Sequence, residues 1–408
     1  MTPKPVSRRD EPRHPAVKIT GVETFHTWGG YRDWSFVRVD TDQGVHGWGE
    51  ATLEGQEDVV EVAIRQMGLQ LIGHDPLASE LAWQRLFRHR FWRGGAVLQS
   101  AISALDQALW DIRGKLLGAP VYRLLGGPTR ERVRLYVHVG IYHPDGILED
   151  ARKAVDAGYT AVKTGSWQQA VRTREPAYLD AVRERLGALR DLVGPDIDIL
   201  YDNHGRSRPD QAIRLLQAAA PYKLHFFEEP IPPEGQALTA PVSAEARRLG
   251  ISLATGERLY NRWEFLPLLE GQLIDIAQPD LCHVGGITEA WKVAVLADTY
   301  RVGIAPHNPQ GPISTAAAAH LAMAIPNFDI LEYGPDQEEA KTGHDARGRR
   351  EEVVIEPWPV VDGHLEVPDR PGLGVELDEA SLRRHKPHRP MGFNYVGPLE
   401  ADGALSDI

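Results

Sequence analysis

The sequence predicts an α/β protein whose larger part is a closed barrel of the (β/α)8 type. Three observations carry this. After Pro128, eight short apolar runs alternate with helical stretches. The alternation returns at intervals of about 25–30 residues, the length of one strand–helix unit. The residue that ends successive runs is repeatedly titratable, and the C-terminal ends of strands are where a barrel gathers its chemistry. An open doubly wound sheet is the other architecture with such alternation, but no Gly-x-Gly-x-x-Gly follows the first strand.

From the N-terminus, residues 17–25, 36–39 and 45–48 read as strands of a small antiparallel meander. Thr41-Asp42-Gln43-Gly44 supplies one of its turns. Residues 100–117 read as a helix, with Ile102, Leu105, Leu109, Ile112 and Leu116 at spacings of three and four. Gly118, Pro120, Gly126 and Gly127 then mark a boundary. The eight barrel strands are expected at 135–139, 161–164, 197–201, 225–227, 252–255, 274–277, 302–305 and 328–331, with helices such as 146–157, 178–193, 209–219, 288–299 and 314–324 between them. After a polar stretch, 334–352, short β-like pieces return at 353–355 and 365–367, followed by 371–376. This tail is too short for a core of its own and is expected to pack on the N-terminal region. The division is therefore a flexible tail (1–16), a smaller domain assembled from 17–128 and 335–408, and the barrel (129–334).

Composition narrows the function. The chain has 408 residues and a formal charge of −12 from 45 basic and 57 acidic side chains, a balance that argues against a chain built to grip nucleic acid. One cysteine, Cys282, excludes an internal disulfide framework and multi-cysteine metal sites. No apolar run approaches the roughly 20 residues of a membrane helix, and the first 18 residues lack the apolar core of a signal peptide. A cytoplasmic protein with no membrane partner is the expectation.

Strand two ends in Lys163, strand three in Asp202-Asn203-His204, strand four in Glu228-Glu229 and strand five in Gly256-Glu257. Strand six leads to Asp280, strand seven to His307 and strand eight to Glu332. A single acidic residue at a strand end is an ordinary helix cap or loop residue. Strands three to eight, six in a row that each end in a titratable group, would leave partly buried charges repelling one another, and a shared cation resolves this. Oxygen ligands without cysteine suit Mg2+. Asp202, Glu228 and Glu257, from three adjacent strands, are the preferred ligands, although His204 and His307 would suit a softer metal. With the histidines left free, Asp280 can orient His307 and raise its basicity.

These residues resemble the enolase superfamily, specifically its mandelate-racemase-like sugar-acid dehydratases, and among them most of all the D-galactonate dehydratases. In the N-terminal region the resemblance rests on residues 41–50, Arg93-Gly94-Gly95 and Asp106-Gln107-Ala108-Leu109-Trp110-Asp111. In the barrel it rests on Asp202-Asn203-His204-Gly205-Arg206, Phe227-Glu228-Glu229-Pro230, Gly256-Glu257-Arg258, Gln278-Pro279-Asp280, residues 285–289 and Ala305-Pro306-His307, and near the end on residues 371–376. It implies an α+β capping domain over a (β/α)7β TIM-type barrel, with Mg2+ on Asp202, Glu228 and Glu257. It also implies His307 with Asp280 as the dyad, His204 as a second catalytic histidine, and Glu332 as a group that helps stabilise the enolate. Many relatives carry Lys-x-Lys at the end of strand two, whereas this chain has Lys163-Thr164-Gly165. Gly165 cannot be a base, which disfavours a two-base racemase; in the galactonate dehydratases the pattern has Asn there.

The activity implied is Mg2+-dependent syn or anti elimination of water from an aldonic acid, such as galactonate or gluconate, to a 2-keto-3-deoxy acid through an enediolate. His307 would take the α-proton and His204 would protonate the departing hydroxyl. Lys163, Arg206 and Trp34 are the substrate-binding candidates, with Tyr31, Arg32 and Asn308 beside them. A hydroxy-acid racemase or epimerase of the same superfamily, and a catalytically weak metabolite-binding relative, remain as alternatives. The resemblance also implies a homo-oligomer.

Overall fold

A computed structural model describes residues 17–30, 32–88, 90–140, 144–165, 175–334, 347–387 and 403. The expected tail, 1–16, and the polar stretch 335–346 lie outside them. The N-terminal region forms a three-stranded antiparallel sheet, β1 (Ile19–Trp28), β2 (Asp33–Thr41) and β3 (His46–Glu50). Helices α1 (Glu57–Gly68), α2 (Ser79–Arg88) and α3 (Ala96–Leu117) follow, then a short turn of helix, α4 (Val121–Leu124). Their apolar faces close one core around Val37, Ile64, Trp83, Leu105 and Leu109. The β1–β2 connection is tighter than expected, with Gly29 N bonded to Arg32 O, so that Trp34 lies within β2 opposite Thr27.

The barrel alternates β4 (Val133–His138), α5 (Ile147–Asp156), β5 (Ala161–Gly165), α6 (Glu175–Val193), β6 (Asp198–Asp202), α7 (Pro209–Ala219) and β7 (Leu224–Glu228). It continues with α8 (Thr239–Leu249), β8 (Ser252–Thr255), α9 (Arg262–Glu270), β9 (Ile276–Ala277), α10 (Gly286–Thr299), β10 (Gly303–Ile304), α11 (Pro312–Ala324) and β11 (Leu331–Glu332). All eight expected strands are present, and β4 to β10 pair in parallel in sequence order. β11 returns to pair with β4, whereas between β10 and β11 the ladder shrinks to a single bridge, Ile304 with Phe328. The ring of strands is therefore not closed by a continuous ladder. Its interior is nonetheless filled by one residue per strand: Tyr136, Ala161, Leu200, Phe226, Ala254, Ile276, Ala305 and Ile330 form one buried cluster.

The C-terminal segment does not form one unit with the sheet of the N-terminal region alone. After α12 (Arg347–Val353), a hairpin of β12 (Val360–Val361) and β13 (His364–Leu365) pairs antiparallel with β4, the first barrel strand. Residues beyond it return to the N-terminal region: Gly372 bridges Pro120, and α13 (Glu379–Arg384) lies against β1 with Arg38 paired to Glu379 and Arg383 to Glu23. Only part of the expected 353–355 strand survives, because Val353 ends α12 and Val354 bridges Leu377.

Helix α3 is the seam between the two regions. Its inner face carries polar groups that are all buried, and each reaches a backbone group it satisfies. Gln107 accepts from Glu50 N at 2.9 Å and donates to Leu281 O at 2.8 Å. Ser103 accepts from Gly285 N and Gly286 N, and Asp106 accepts from Thr288 N at 2.9 Å. Asp111 accepts from Trp48 N at 3.0 Å and Leu373 N at 2.7 Å, and pairs with Lys115 at 2.9 Å. The Asp106–Asp111 motif is thus a bolt joining sheet, barrel loop and C-terminal segment.

Replacing Asp111 by Ala leaves two buried N–H groups without their acceptor and removes one of the two carboxylates that hold the Lys115 ammonium. We expect a loss of roughly 3–5 kcal/mol, read as a lower denaturant midpoint; an unchanged midpoint would show the bolt to be dispensable. Beside it, Glu376 is held down to about 2, against the cost of burial, by His46 and Lys115. A depressed carboxyl contributes stability above its unfolded pKa and loses it on acidification. The midpoint difference between the wild type and Glu376→Gln should therefore be constant above about pH 5 and vanish as the pH falls towards 2.

Candidate active site

Side chains alternate along a strand, so the residue two positions beyond each interior residue points to the same face, one layer nearer the C-terminal mouth. That layer consists of His138, Lys163, Asp202, Glu228, Gly256, Gln278, His307 and Glu332, two residues on from the eight members of the interior cluster. The structure thus brings Lys163, Asp202, Glu228, His307 and Glu332 together for one geometric reason. Glu257 is one residue further on, beyond Gly256 at φ 139°, a backbone conformation suited to glycine.

Lys163 is buried and bridges two carboxylates, with Nζ 2.8 Å from Glu228 Oε1 and 2.9 Å from Glu332 Oε1. Glu332 is also bonded to His138, and its Oε2 accepts from Asn308 N at 2.8 Å. Burial and the Lys163 charge push His138 down to about 4, so its ring is neutral. The same lysine and His307 hold Glu332 well below the usual carboxyl range despite its burial. His307 donates from Nδ1 to Asp280 Oδ2 at 2.7 Å, and its Nε2 lies 3.4 Å from Glu257 and 3.9 Å from Glu332. Burial opposes a charge there, but Glu257, Glu332 and Asp280 together raise the imidazole well above its ordinary range. His204 has φ 57° and turns Nδ1 back to Asp202 Oδ2 at 3.2 Å. Asp202, Glu257 and Glu229 raise it to about 9 against the cost of burial.

Negative charge dominates the pocket floor. Burial first, then Asp202, Glu257 and Glu332, raise Glu228 to about 8 even with Lys163 beside it. Its Oε2 is buried with no hydrogen-bond partner among the described residues. A buried carboxylate oxygen with no partner, on a side chain close enough to Asp202 and Glu257 to be raised by both, fits a divalent cation. The group whose ligand atoms already lie within 4.8 Å of one another is a different one, His204, Glu229 and Glu257. It overlaps the expected Asp202, Glu228 and Glu257 at Glu257 only. Glu229, however, is engaged through both oxygens by Arg258, at 3.1 and 2.5 Å, whereas Glu228 retains an unsatisfied oxygen.

Other candidates are placed elsewhere. Trp34, expected to cover substrate, is fully buried in the main core, edge-on to Phe36, because it belongs to β2 rather than to a loop. Arg206 lies half-buried on the loop after β6, close enough to Tyr178 and Tyr201 to affect both phenols. Asn308 braces Glu332 and Thr315. Tyr31 is outside the described residues. Sequence reasoning missed His138, although it ends strand one and precedes Lys163 by 163 − 138 = 25 positions, the period of the other site residues. It also missed Glu54, which pairs with Arg32, the charge that does most to lower it against the cost of burial. Nothing local in the sequence marks it.

Gly165 has a steric role. At φ 113°, a Cβ there would stand 2.2 Å from the carbonyl oxygen of Asp202. Gly165→Ala is expected to cost about 1–3 kcal/mol and to displace Asp202. Denaturant unfolding and Mg2+ titration would both report it; an unchanged midpoint would contradict the clash.

The comparisons with known proteins agree with this architecture. Residues 10–126 match the mandelate racemase / muconate lactonizing enzyme N-terminal domain, and residues 146–381 match the enolase C-terminal domain-like family. D-galactonate dehydratases of Variovorax paradoxus and Xanthomonas euvesicatoria are each 38% identical over 394 residues, 96% of this chain and all of theirs. Among solved structures, an enolase of Agrobacterium radiobacter, with galactarate dehydratase as its suggested activity and with sodium and L-malate bound, is 35% identical with TM-score 0.86. The match spans 96% of this chain and 100% of that one. A mandelate racemase/muconate lactonizing enzyme of Jannaschia is 32% identical with TM-score 0.81, over 90% of this chain and 97% of its own. With its barrel-mouth layer of carboxylates, lysine and histidines beneath an N-terminal sheet-and-helix domain, the chain belongs to the enolase superfamily.

Proposed function

We propose that this chain dehydrates an aldonic acid, of which galactonate and gluconate are the first candidates, to a 2-keto-3-deoxy acid in a Mg2+-dependent reaction. The observation that supports this most is the placement of two histidines around the mouth. His204 follows β6 and His307 follows β10, four strands apart in a ring of eight, so an acid and a base face the same pocket from opposite sides. The homology to D-galactonate dehydratases over nearly the whole chain points the same way.

Asp202, Glu228 and Glu257 would hold the ion, since their oxygens are hard ligands and one of them is unsatisfied. When bound, Mg2+ would supply a fixed positive charge for the substrate carboxylate and for the electron density left at the α-carbon. His307, with Nδ1–H committed to Asp280, offers Nε2 as the atom that removes the α-proton. The C–H electron pair is first held as an enediolate with the carboxylate and then becomes the C2–C3 double bond as the C3–O bond breaks. His204 donates a proton to the departing hydroxyl, which leaves as water. The enol that remains tautomerises to the 2-keto-3-deoxy acid. Lys163 stays between Glu228 and Glu332, limiting the repulsion of two carboxylates that the reaction needs close together. Glu332 in turn helps keep His307 ready to carry the abstracted proton.

Incubation with a panel of hexonates and pentonates plus Mg2+ should yield 2-keto-3-deoxy product from at least one. His307→Asn should lower both product formation and α-proton exchange with solvent by about 10²–10⁴-fold while Mg2+ binding by calorimetry persists. Wild-type turnover in that variant would remove His307 as the base. α-Proton exchange without loss of water from any substrate would replace dehydration by epimerisation.

A further inference from the structure

Gln310 lies three residues beyond His307, is 1% exposed, and meets groups whose hydrogen-bonding roles chemistry fixes. Arg32 Nη1, which can only donate, is 2.8 Å from Gln310 Oε1. Asp280 Oδ2, a carboxylate oxygen that can only accept, is 3.4 Å from Gln310 Nε2. The amide therefore has one orientation, because its reverse would set donor against donor and acceptor against acceptor. The amide nitrogen also lies 3.3 Å from His283 Nε2, which must then accept. That leaves the His283 proton on Nδ1, 2.8 Å from Ser100 Oγ, and the Ser100 proton goes to Ala96 O at 2.7 Å. The chain of donors runs in one sense, from Arg32 just before β2 through the barrel loop to α3.

Asp280 is where this chain touches the chemistry. Its Oδ1 accepts from Cys282 N at 2.6 Å, and its Oδ2 accepts from His307 Nδ1 at 2.7 Å. A second imidazole, His283, stands 3.7 Å from that same Oδ2. Without an occupied acceptor site on its Nε2, His283 would be a rival donor for the oxygen that orients His307.

We propose that Gln310 is the positioning residue of the His307–Asp280 pair: its amide donates to Asp280 Oδ2 and to His283 Nε2 at once, reserving that carboxylate oxygen for His307. The idea rests on His307 being the base. Arg32, by holding the amide oxygen, ties the N-terminal region to the geometry of the dyad.

The test uses the full-length protein labelled with ¹⁵N-histidine, in which two-bond ¹H–¹⁵N correlations report each ring's tautomer, with His283 identified from the spectrum of His283→Asn. Wild-type His283 should carry its proton on Nδ1 alone, and in Gln310→Glu, whose carboxylate cannot donate, His283 Nε2 should become protonated. An Nε2–H in the wild type, or no change in the variant, overturns the proposal without reference to activity. On whichever sugar acid the wild type dehydrates, Gln310→Met and Gln310→Glu should both lose about 10–100-fold in kcat with KM within about threefold. Gln310→Glu still offers Arg32 an acceptor, so a wild-type kcat in that variant would reduce Gln310 to a brace for Arg32 and overturn the proposal. If the wild type dehydrates none of the panel, the functional reading fails alone, and the tautomer of His283 still decides the network.

Discussion

The structure is organised around one electrostatic constraint: Asp202, Glu228, Glu257 and Glu332 stand at the mouth of one barrel, buried, with a single buried lysine between two of them. Desolvation alone would neutralise such carboxylates. Lys163 offsets the repulsion between Glu228 and Glu332, Arg258 holds Glu229, and one oxygen of Glu228 is left unsatisfied. Oxygen ligands of this kind suit a divalent cation, whose charge would offset the repulsion that Lys163 and Arg258 leave.

Much of this was legible because two periods coincide. The strand–helix unit returns every 25–30 residues or so, and the strand itself alternates faces every second residue. A residue two places beyond an inward apolar residue must point into the mouth, so Lys163, Asp202, Glu228, His307 and Glu332 announce themselves by phase. His138 obeys the same rule and was overlooked because its strand was extended through Val139, which moved attention past the residue that ends it. The loop expected around Trp34 failed for the opposite reason. A cluster of aromatic and polar residues with two glycines reads as a loop, yet the turn takes only the residues between Trp28 and Asp33, and the indole goes into the core.

What could not be read locally are contacts made by residues far apart in sequence. Ser100 meets His283 across 183 positions, Arg32 meets Gln310 across 278, and Glu50 accepts from Gly311 and Ser314 across more than 260. No pattern within a window of the chain encodes such pairings; only the docking of the two regions creates them. The C-terminal segment shows the same limit. Its return to the N-terminal region was foreseeable from its want of a core, but the pairing of β13 with β4 was not, since a two-residue strand carries almost no periodic signal.

This long-range docking also fixes the orientation of His307. A histidine at a strand end is an ordinary surface residue until a partner fixes its tautomer. Asp280 supplies that partner, and the loop that presents Asp280 is in turn held by α3 through Gln107 at Leu281 O, Ser103 at Gly285 N and Gly286 N, and Asp106 at Thr288 N. Helix α3 belongs to the N-terminal region, yet its buried polar face fixes the backbone that presents Asp280 to His307. The barrel alone would carry the same side chains without that anchorage. The two regions are therefore coupled at the level of hydrogen bonds: a helix of the N-terminal region fixes the loop that carries Asp280, and through it the ring of His307 within the barrel.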